Sequence, residues 1–186
     1  MKSDPRVRYT QMVIQNAFGE LLRQKPFSKI TVREICDKAE INRSTFYKHY
    51  QDCYDLLDKM KDETLQRFDE MLAGMKDRGV MATMTAILQT LKDNAALFRA
   101  LRRQGGEHSF TNQLAGHCFD YMDIQISIHP ALGWNETQKR IVFSYLTGGA
   151  AAIIEYWLQN GCKEPPEQIA DMTLELSKIL TGGLVE

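Results

Sequence analysis

The sequence predicts an all-α protein of about nine helices, three of them in a small N-terminal domain and the rest in a larger C-terminal one. Three observations carry that prediction. Apolar residues recur at helical spacing along most of the chain. Start and stop residues, among them Thr31 with Glu34, Asn135 with Gln138, and Gly161, fall where those patterns begin and end. No segment shows the strict alternation of a half-buried strand.

The elements follow in order. Val13, Ile14, Ala17, Phe18, Leu21 and Leu22 form one stripe on a helix that becomes regular at Tyr9 and runs to about Gln24, where Pro26 ends it. Thr31 and Glu34 make a capping-box pattern opening a second helix, Val32 to Ala39. Glu40-Ile41-Asn42 is a turn, and Asn42 is the expected side-chain cap of a third helix carrying Phe46 and Tyr50 inward. Asp52 caps a fourth helix expected to reach about Met75. After a break at Lys76-Asp77-Arg78-Gly79, further helices are expected at about 80–92, 94–103 and 107–128, with breaks at Gly105-Gly106 and at His129-Pro130. The eighth runs from Asn135 to Asn160, with Gly161 as its left-handed stop. Pro165-Pro166 initiates the last, which Gly182-Gly183 ends.

The chain has 186 residues, 44% hydrophobic and 25% charged, a composition that folds. Its net charge of −1 hides an asymmetry. Residues 1–50 hold ten Lys and Arg against five Asp and Glu, whereas residues 51–186 hold 13 against 19. A basic head on an acidic body suits contact with a polyanion. No apolar run approaches the ~20 residues that span a bilayer, and the N-terminus lacks a signal-peptide core, so a cytoplasmic protein without membrane attachment is expected. Cys36, Cys53, Cys118 and Cys162 are scattered, as are His49, His108, His117 and His129, so neither a disulfide framework nor a metal site is expected. HExxH, P-loop, GxGxxG and GxSxG motifs are absent, and no enzyme activity or cofactor is expected.

The stretch Thr31–Tyr50, TVREICDKAEINRSTFYKHY, reads as two short helices about a tight turn, a helix-turn-helix. Turning Phe46 and Tyr50 inward leaves Arg43, Ser44, Tyr47 and Lys48 outward, with Thr45 and His49 at the edges of that face. With the amphipathic first helix and the long fourth one, this segment resembles the N-terminal DNA-binding domain of the tetracycline-repressor (TetR) family over roughly residues 8–57. Two positions depart from the family pattern. Glu40 stands where many relatives have glycine, and Cys53 where many have a lysine that would contact a phosphate.

The resemblance implies a helix-turn-helix DNA-binding domain at 1–51 and an effector-response and dimerisation domain at 52–186. It places Arg33, Arg43, Ser44, Thr45, Tyr47 and His49 at positions used for DNA contact. Base reading is assigned to Arg43, Ser44 and Thr45, and phosphate contact to Tyr47, Lys48, His49 and the helix start at Thr31. The C-terminal part looks like a subgroup with a GG…W-L-x-x-G signature, here Gly148-Gly149, Trp157-Leu158 and Gly161. Some relatives with that signature answer to protein coactivators, so a small-molecule or a protein effector is open. Met60, Met71, Met75, Met81, Met84 and Met122 with Phe68, Phe98 and Phe119 either line a ligand cavity or fill a helical core; the ligand-binding residues are not assigned.

Two glycines inside a helix cost roughly 1 kcal/mol each relative to alanine, which close approach of another helix would offset. The last two helices are therefore the expected homodimer interface, through Gly148, Gly149, Ala152, Ile153, Tyr156, Trp157, Met172, Leu176 and Ile179. The function expected is a homodimeric DNA-binding transcriptional regulator, a repressor on a palindromic operator. The alternative is a helical module whose N-terminal unit binds protein instead of DNA.

Overall fold

The computed structural model describes residues 4–104, 113–114, 116–117 and 134–180. Among them are nine α-helices, one 3-10 turn at Phe27–Lys29 and no strand: α1 (Pro5–Gln24), α2 (Val32–Ala39), α3 (Arg43–Tyr47), α4 (Cys53–Ala73), α5 (Met75–Arg78), α6 (Val80–Asp93), α7 (Ala95–Gln104), α8 (Glu136–Gln159) and α9 (Pro166–Leu180). The fold is all-α, with an N-terminal helix-turn-helix. The helix expected at 107–128, its flanking breaks, and the Gly182-Gly183 stop lie outside the described residues, apart from short helical pieces at 113–114 and 116–117.

α1 starts four residues before Tyr9, the point where the stripe becomes regular. Pro5 supplies the helical φ of a first residue, and the Asp4 carboxylate accepts the Arg6 N–H at 2.9 Å. Those first turns are polar, so periodicity could not show them. At α2 the capping box is complete. The Glu34 N–H donates to Thr31 Oγ1 at 3.3 Å, and the Thr31 N–H donates to Glu34 Oε2 at 3.0 Å. Lys25, just past α1, forms an ion pair with Glu34, tying the end of one helix to the start of the next.

The fourth helix ends two residues before the expected Met75, and the expected break at 76–79 is largely a helical turn. α4 stops at Ala73, Gly74 bends the chain, and the buried Met75 begins the single turn α5. A Cβ on Gly74 would meet the Arg78 guanidinium at 3.0 Å, so glycine lets that side chain fold back. α8 begins with a second complete capping box, Asn135 with Gln138. It ends at Gly161 and Cys162, both left-handed at φ +82° and +51°, with the Cys162 N–H on Trp157 O at 3.0 Å.

The chain packs as two units. One holds the residues through Thr64 together with Ala96–Gln104; the other holds Leu65–Ala95 and the described residues from 113 on. In the first, α1 packs on α2 and α2 on α3. Its core comprises Ile14, Phe18, Ile35, Phe46, Tyr50, Leu56 and Leu57, with Leu97, Phe98 and Leu101 of α7 also buried. In the second, α9 packs on α6 and α8, and α5 on α6, around Phe68, Leu72, Leu91, Ile154, Trp157 and Ala170.

The Lys25 hydrogen bond, then those from Thr31, hold the Glu34 carboxyl near a pKa of about 2, below its ordinary 4.5. A depressed carboxylate stabilises the fold above its unfolded pKa and loses that contribution as pH falls through the folded one. Thermal melts between pH 5 and pH 2 should therefore show a shallower loss of stability for Glu34→Gln than for the wild type.

Candidate nucleic-acid interface

The helix-turn-helix is built on backbone bonds at its turn. The N–H groups of Glu40 and Ile41 both donate to Cys36 O, the latter at 3.0 Å. Glu40 itself is left-handed, φ +53° and ψ +42°, at the position where glycine would be free of strain. Asn42 does stand at the N-cap of α3, but its side chain makes no capping bond, contrary to the sequence expectation. Its backbone carbonyl takes the Thr45 and Phe46 N–H groups at 2.9 and 3.2 Å.

α3 has five residues, and Phe46 is its one buried residue. The Phe46 ring lies 5.6 Å from Tyr50, also buried, and edge-on 5.6 Å from Tyr47. What remains outward is Arg43, Ser44, Tyr47 and Lys48, with Tyr47 56% exposed; Thr45 and His49 are half-buried at the margins. Thr31 and Arg33 are exposed on α2, and the Arg33 guanidinium lies 3.6 Å from the Asp37 carboxylate. Thr31 Oγ1 is engaged with Glu34 in the capping box.

The start of α4 is satisfied from within. Asp52 Oδ1 accepts the Tyr54 and Asp55 N–H groups at 2.8 and 2.9 Å. Asp55 Oδ2 accepts the Gln51 N–H at 2.8 Å and Lys59 Nζ at 2.9 Å. Those two bonds hold the Asp55 carboxyl below its ordinary range, the backbone bond being the larger cause. Lys59 also donates to His49 O at 2.9 Å and sits 5.3 Å from the centroid of the Tyr50 ring. Cys53 is buried with its thiol 3.8 Å from Ile30 O, and burial pushes that thiol up to about 11. Cys36 is raised for the same first reason. Neither presents a thiolate at neutral pH. Two carboxylates therefore occupy a helix start at which a lysine would have offered a cation.

A polar junction joins three elements behind this surface. Gln15 Nε2 of α1 donates to both oxygens of Glu63 of α4, at 2.9 and 3.1 Å, and lies 3.4 Å from the Tyr50 hydroxyl. Sequence patterning gave no sign of it, because residues 15 and 63 belong to polar positions of separate helices.

The residues named for a dimer interface fall in two environments. Gly148, Gly149, Ala152 and Tyr156 are exposed on α8, and Met172, Leu176 and Ile179 on α9; Ile153 is half-buried between. Trp157 is 1% exposed, with its indole N–H donating to Glu164 O at 3.1 Å, so its ring fills the core of its own unit. Ile141 and Tyr145, 64% and 66% exposed, extend the apolar face and were not singled out for it. A groove of about 460 Å³ runs between the two helices past Tyr145, Gly148, Gly149, Ile153 and Leu176. No atom lies within 4 Å of a Cβ built on either glycine, so no described part of this chain makes the close approach they allow.

The methionine and phenylalanine set is spread over both units. Phe68 and Met75 are core, Met81 is 40% exposed, Met60 and Phe98 belong to the first unit, and Met122 and Phe119 lie outside the described residues. Among the described residues no three His, Cys, Asp or Glu side chains group as metal ligands. α8, with 24 residues, is long and apolar enough to cross a membrane by length and composition. Its apolar residues divide between the core side and the exposed stripe.

The sequence matches a family profile described as the C-terminal region of transcriptional regulators over residues 80–178, and one described as bacterial regulatory proteins, tetR family, over residues 17–60. It is 26% identical over 174 residues to the uncharacterized HTH-type transcriptional regulator YxbF of Bacillus subtilis (strain 168). That alignment covers 90% of this chain but 44% of the relative's length. Among solved structures, the dihydroxyacetone kinase operon activator DhaS superposes with a TM-score of 0.70 at 21% identity, covering 93% of this chain and 96% of that one. The transcriptional regulator FadR from Bacillus subtilis, solved with stearoyl-CoA, gives 0.67 at 18% identity, covering 92% and 98%. At these identities the two structural likenesses concern the fold.

Phe46→Ala should destabilise the protein by about 3–5 kcal/mol, since it empties the anchor of a five-residue helix. Tyr47→Ala, on the exposed side of the same helix, should stay within about 0.5 kcal/mol of wild type. Urea denaturation of both variants checks the contrast.

Proposed function

The chain belongs to the tetR family of bacterial regulatory proteins, which are transcriptional regulators, and from that premise we propose that it acts as a homodimeric repressor on a palindromic operator in the cytoplasm. Residues 1–51 are its DNA-binding domain, and residues 52–186 its effector-response and dimerisation domain. The observation that carries the reading is the outward set on α3. Arg43, Ser44, Tyr47 and Lys48 stand exposed on a helix fixed from behind by Phe46. The first turn of such a helix enters the major groove. There Arg43 can take guanine O6 and N7, and Thr45 can meet a thymine methyl. Lys48, Tyr47, His49 and the α2 start at Thr31 hold phosphates and fix register.

Dimerisation rests on the second exposed face. α8 is apolar toward its own core and again toward solvent, the pattern of a helix meant to be covered on both sides. Two copies of α8 and α9 facing each other across a two-fold axis would bury Tyr145, Tyr156, Leu176 and Ile179 and bring a helix against Gly148 and Gly149. Such a dimer would set two α3 helices in successive major grooves, about 34–36 Å apart. An effector, small molecule or protein, that prefers a second geometry of the body would lower DNA affinity by its preference between the two states. FadR, whose structure was solved in complex with stearoyl-CoA, supports the small-molecule choice.

Binding to DNA flanking its own gene, followed by fluorescence anisotropy, should be sequence-specific and weaken steeply with salt. Arg43→Ala should lose the sequence preference, by about 1–3 kcal/mol for one bidentate contact. A wild type that binds no duplex specifically, or an Arg43→Ala variant indistinguishable from it, would leave the protein-binding alternative standing.

Sedimentation equilibrium should give a dimer for the wild type and a monomer for Leu176→Glu, which sets an unpaired carboxylate in the proposed interface. A Leu176→Glu dimer as tight as the wild type would move the interface elsewhere.

A further inference from the structure

The first helix of a helix-turn-helix crosses the DNA backbone, so charge on its outer side meets phosphates. Here that helix is α2, and it has two basic residues, Arg33 and Lys38. Lys38 is engaged elsewhere, 2.6 Å from the Glu20 carboxylate of α1. Arg33 is thus the α2 cation left to the outer side. It too has a partner, for its Nε lies 3.6 Å from Asp37 Oδ2 one helical turn on, with both side chains more than 70% exposed. Glu40, a further turn along and exposed, adds a second negative charge. It does so in a left-handed conformation that a non-glycine residue adopts only at a cost.

Resting on the DNA reading above, we propose that Asp37 is a specificity-determining residue that acts through Arg33. In the free protein and on non-cognate DNA, Arg33 stays paired with Asp37, and the phosphate beneath it goes unneutralised. On a cognate site the base contacts of Arg43, Ser44 and Thr45 seat α3 fully. Arg33 then exchanges the carboxylate for a phosphate held in fixed register. The pair is weak enough to break in a seated complex, because an exposed pair at this spacing is screened by water. A loosely placed phosphate is screened in the same way and gains too little to displace the carboxylate. The arrangement lowers sequence-independent affinity more than specific affinity, and it is their ratio that selects an operator among competing sites.

The test compares wild type, Asp37→Asn, Arg33→Ala and the double variant on two probes. One is a pool of random-sequence duplexes; the other is duplexes selected from that pool by the wild-type protein. Because the pair is exposed, Asp37→Asn should melt like the wild type. On the random pool it should bind more tightly, with a salt slope steeper by about 0.9, one further phosphate. On selected duplexes it should gain only roughly twofold, the release of a weak exposed pair, with an unchanged slope. In the Arg33→Ala background the asparagine should change neither probe. Equal steepening on both probes would make Asp37 a general repulsive charge and overturn the exchange, as would a response that persists without Arg33. A wild-type protein from which no preferred duplexes can be selected would instead sink the DNA reading itself.

Discussion

A helix of five residues cannot hold itself together in water, because nucleating a helical turn fixes several dihedrals for a single hydrogen bond. α3 therefore exists only through its burial, and its burial is Phe46. Everything the outward face can do depends on that one ring being seated, fully buried, against Tyr50. The rest of the head secures the seat. The α2 capping box sets where the preceding helix begins, Cys36 O gathers the two N–H groups of the turn, and the Gln15 amide ties Glu63 and Tyr50 behind it. Rigidity from behind is what lets short, exposed side chains keep a geometry that bases can be matched against.

Charge on the head is arranged with more restraint than its net of +5 suggests. Lys25, Arg33 and Lys38 of the head, and Lys59 of α4, each have a carboxylate partner within the fold. Arg43 and Lys48 stand on the exposed face of α3. The α4 start, with Asp52 and Asp55 on its N–H groups and a buried Cys53, is closed to the phosphate contact that a lysine there would make. On α3 and at its end, by contrast, Arg43 and Lys48 are exposed cations beside the side chains proposed to read bases.

Much of this was legible in the sequence. Capping boxes use fixed residue types at fixed spacing, so Thr31–Glu34 and Asn135–Gln138 could be located directly. The Phe46–Tyr50 spacing fixed which side of α3 is outward. Other features were illegible for identifiable reasons. A single turn too short for an apolar period looks like a loop, so α5 was read as a break after the fourth helix. An asparagine before a helix can cap with its side chain, yet Asn42 leaves the work to its carbonyl. Periodicity identifies an apolar face without saying what covers it. Trp157 was therefore grouped with Tyr156, although their side chains point to opposite environments. For the same reason the stripe of Leu97, Phe98 and Leu101 did not disclose that α7 packs with a head some fifty residues earlier in the chain.

That last placement bears on how the protein is made. During synthesis the N-terminal residues emerge first and ordinarily fold first. Here the unit that carries α3 takes its final buried residues from Ala96–Gln104, so its core closes only after more than half of the 186 residues have left the ribosome. A nascent chain halted within α6 would display the whole helix-turn-helix sequence without the finished packing behind it. Competence to engage DNA would then wait for α7, with less than half of the acidic body yet emerged.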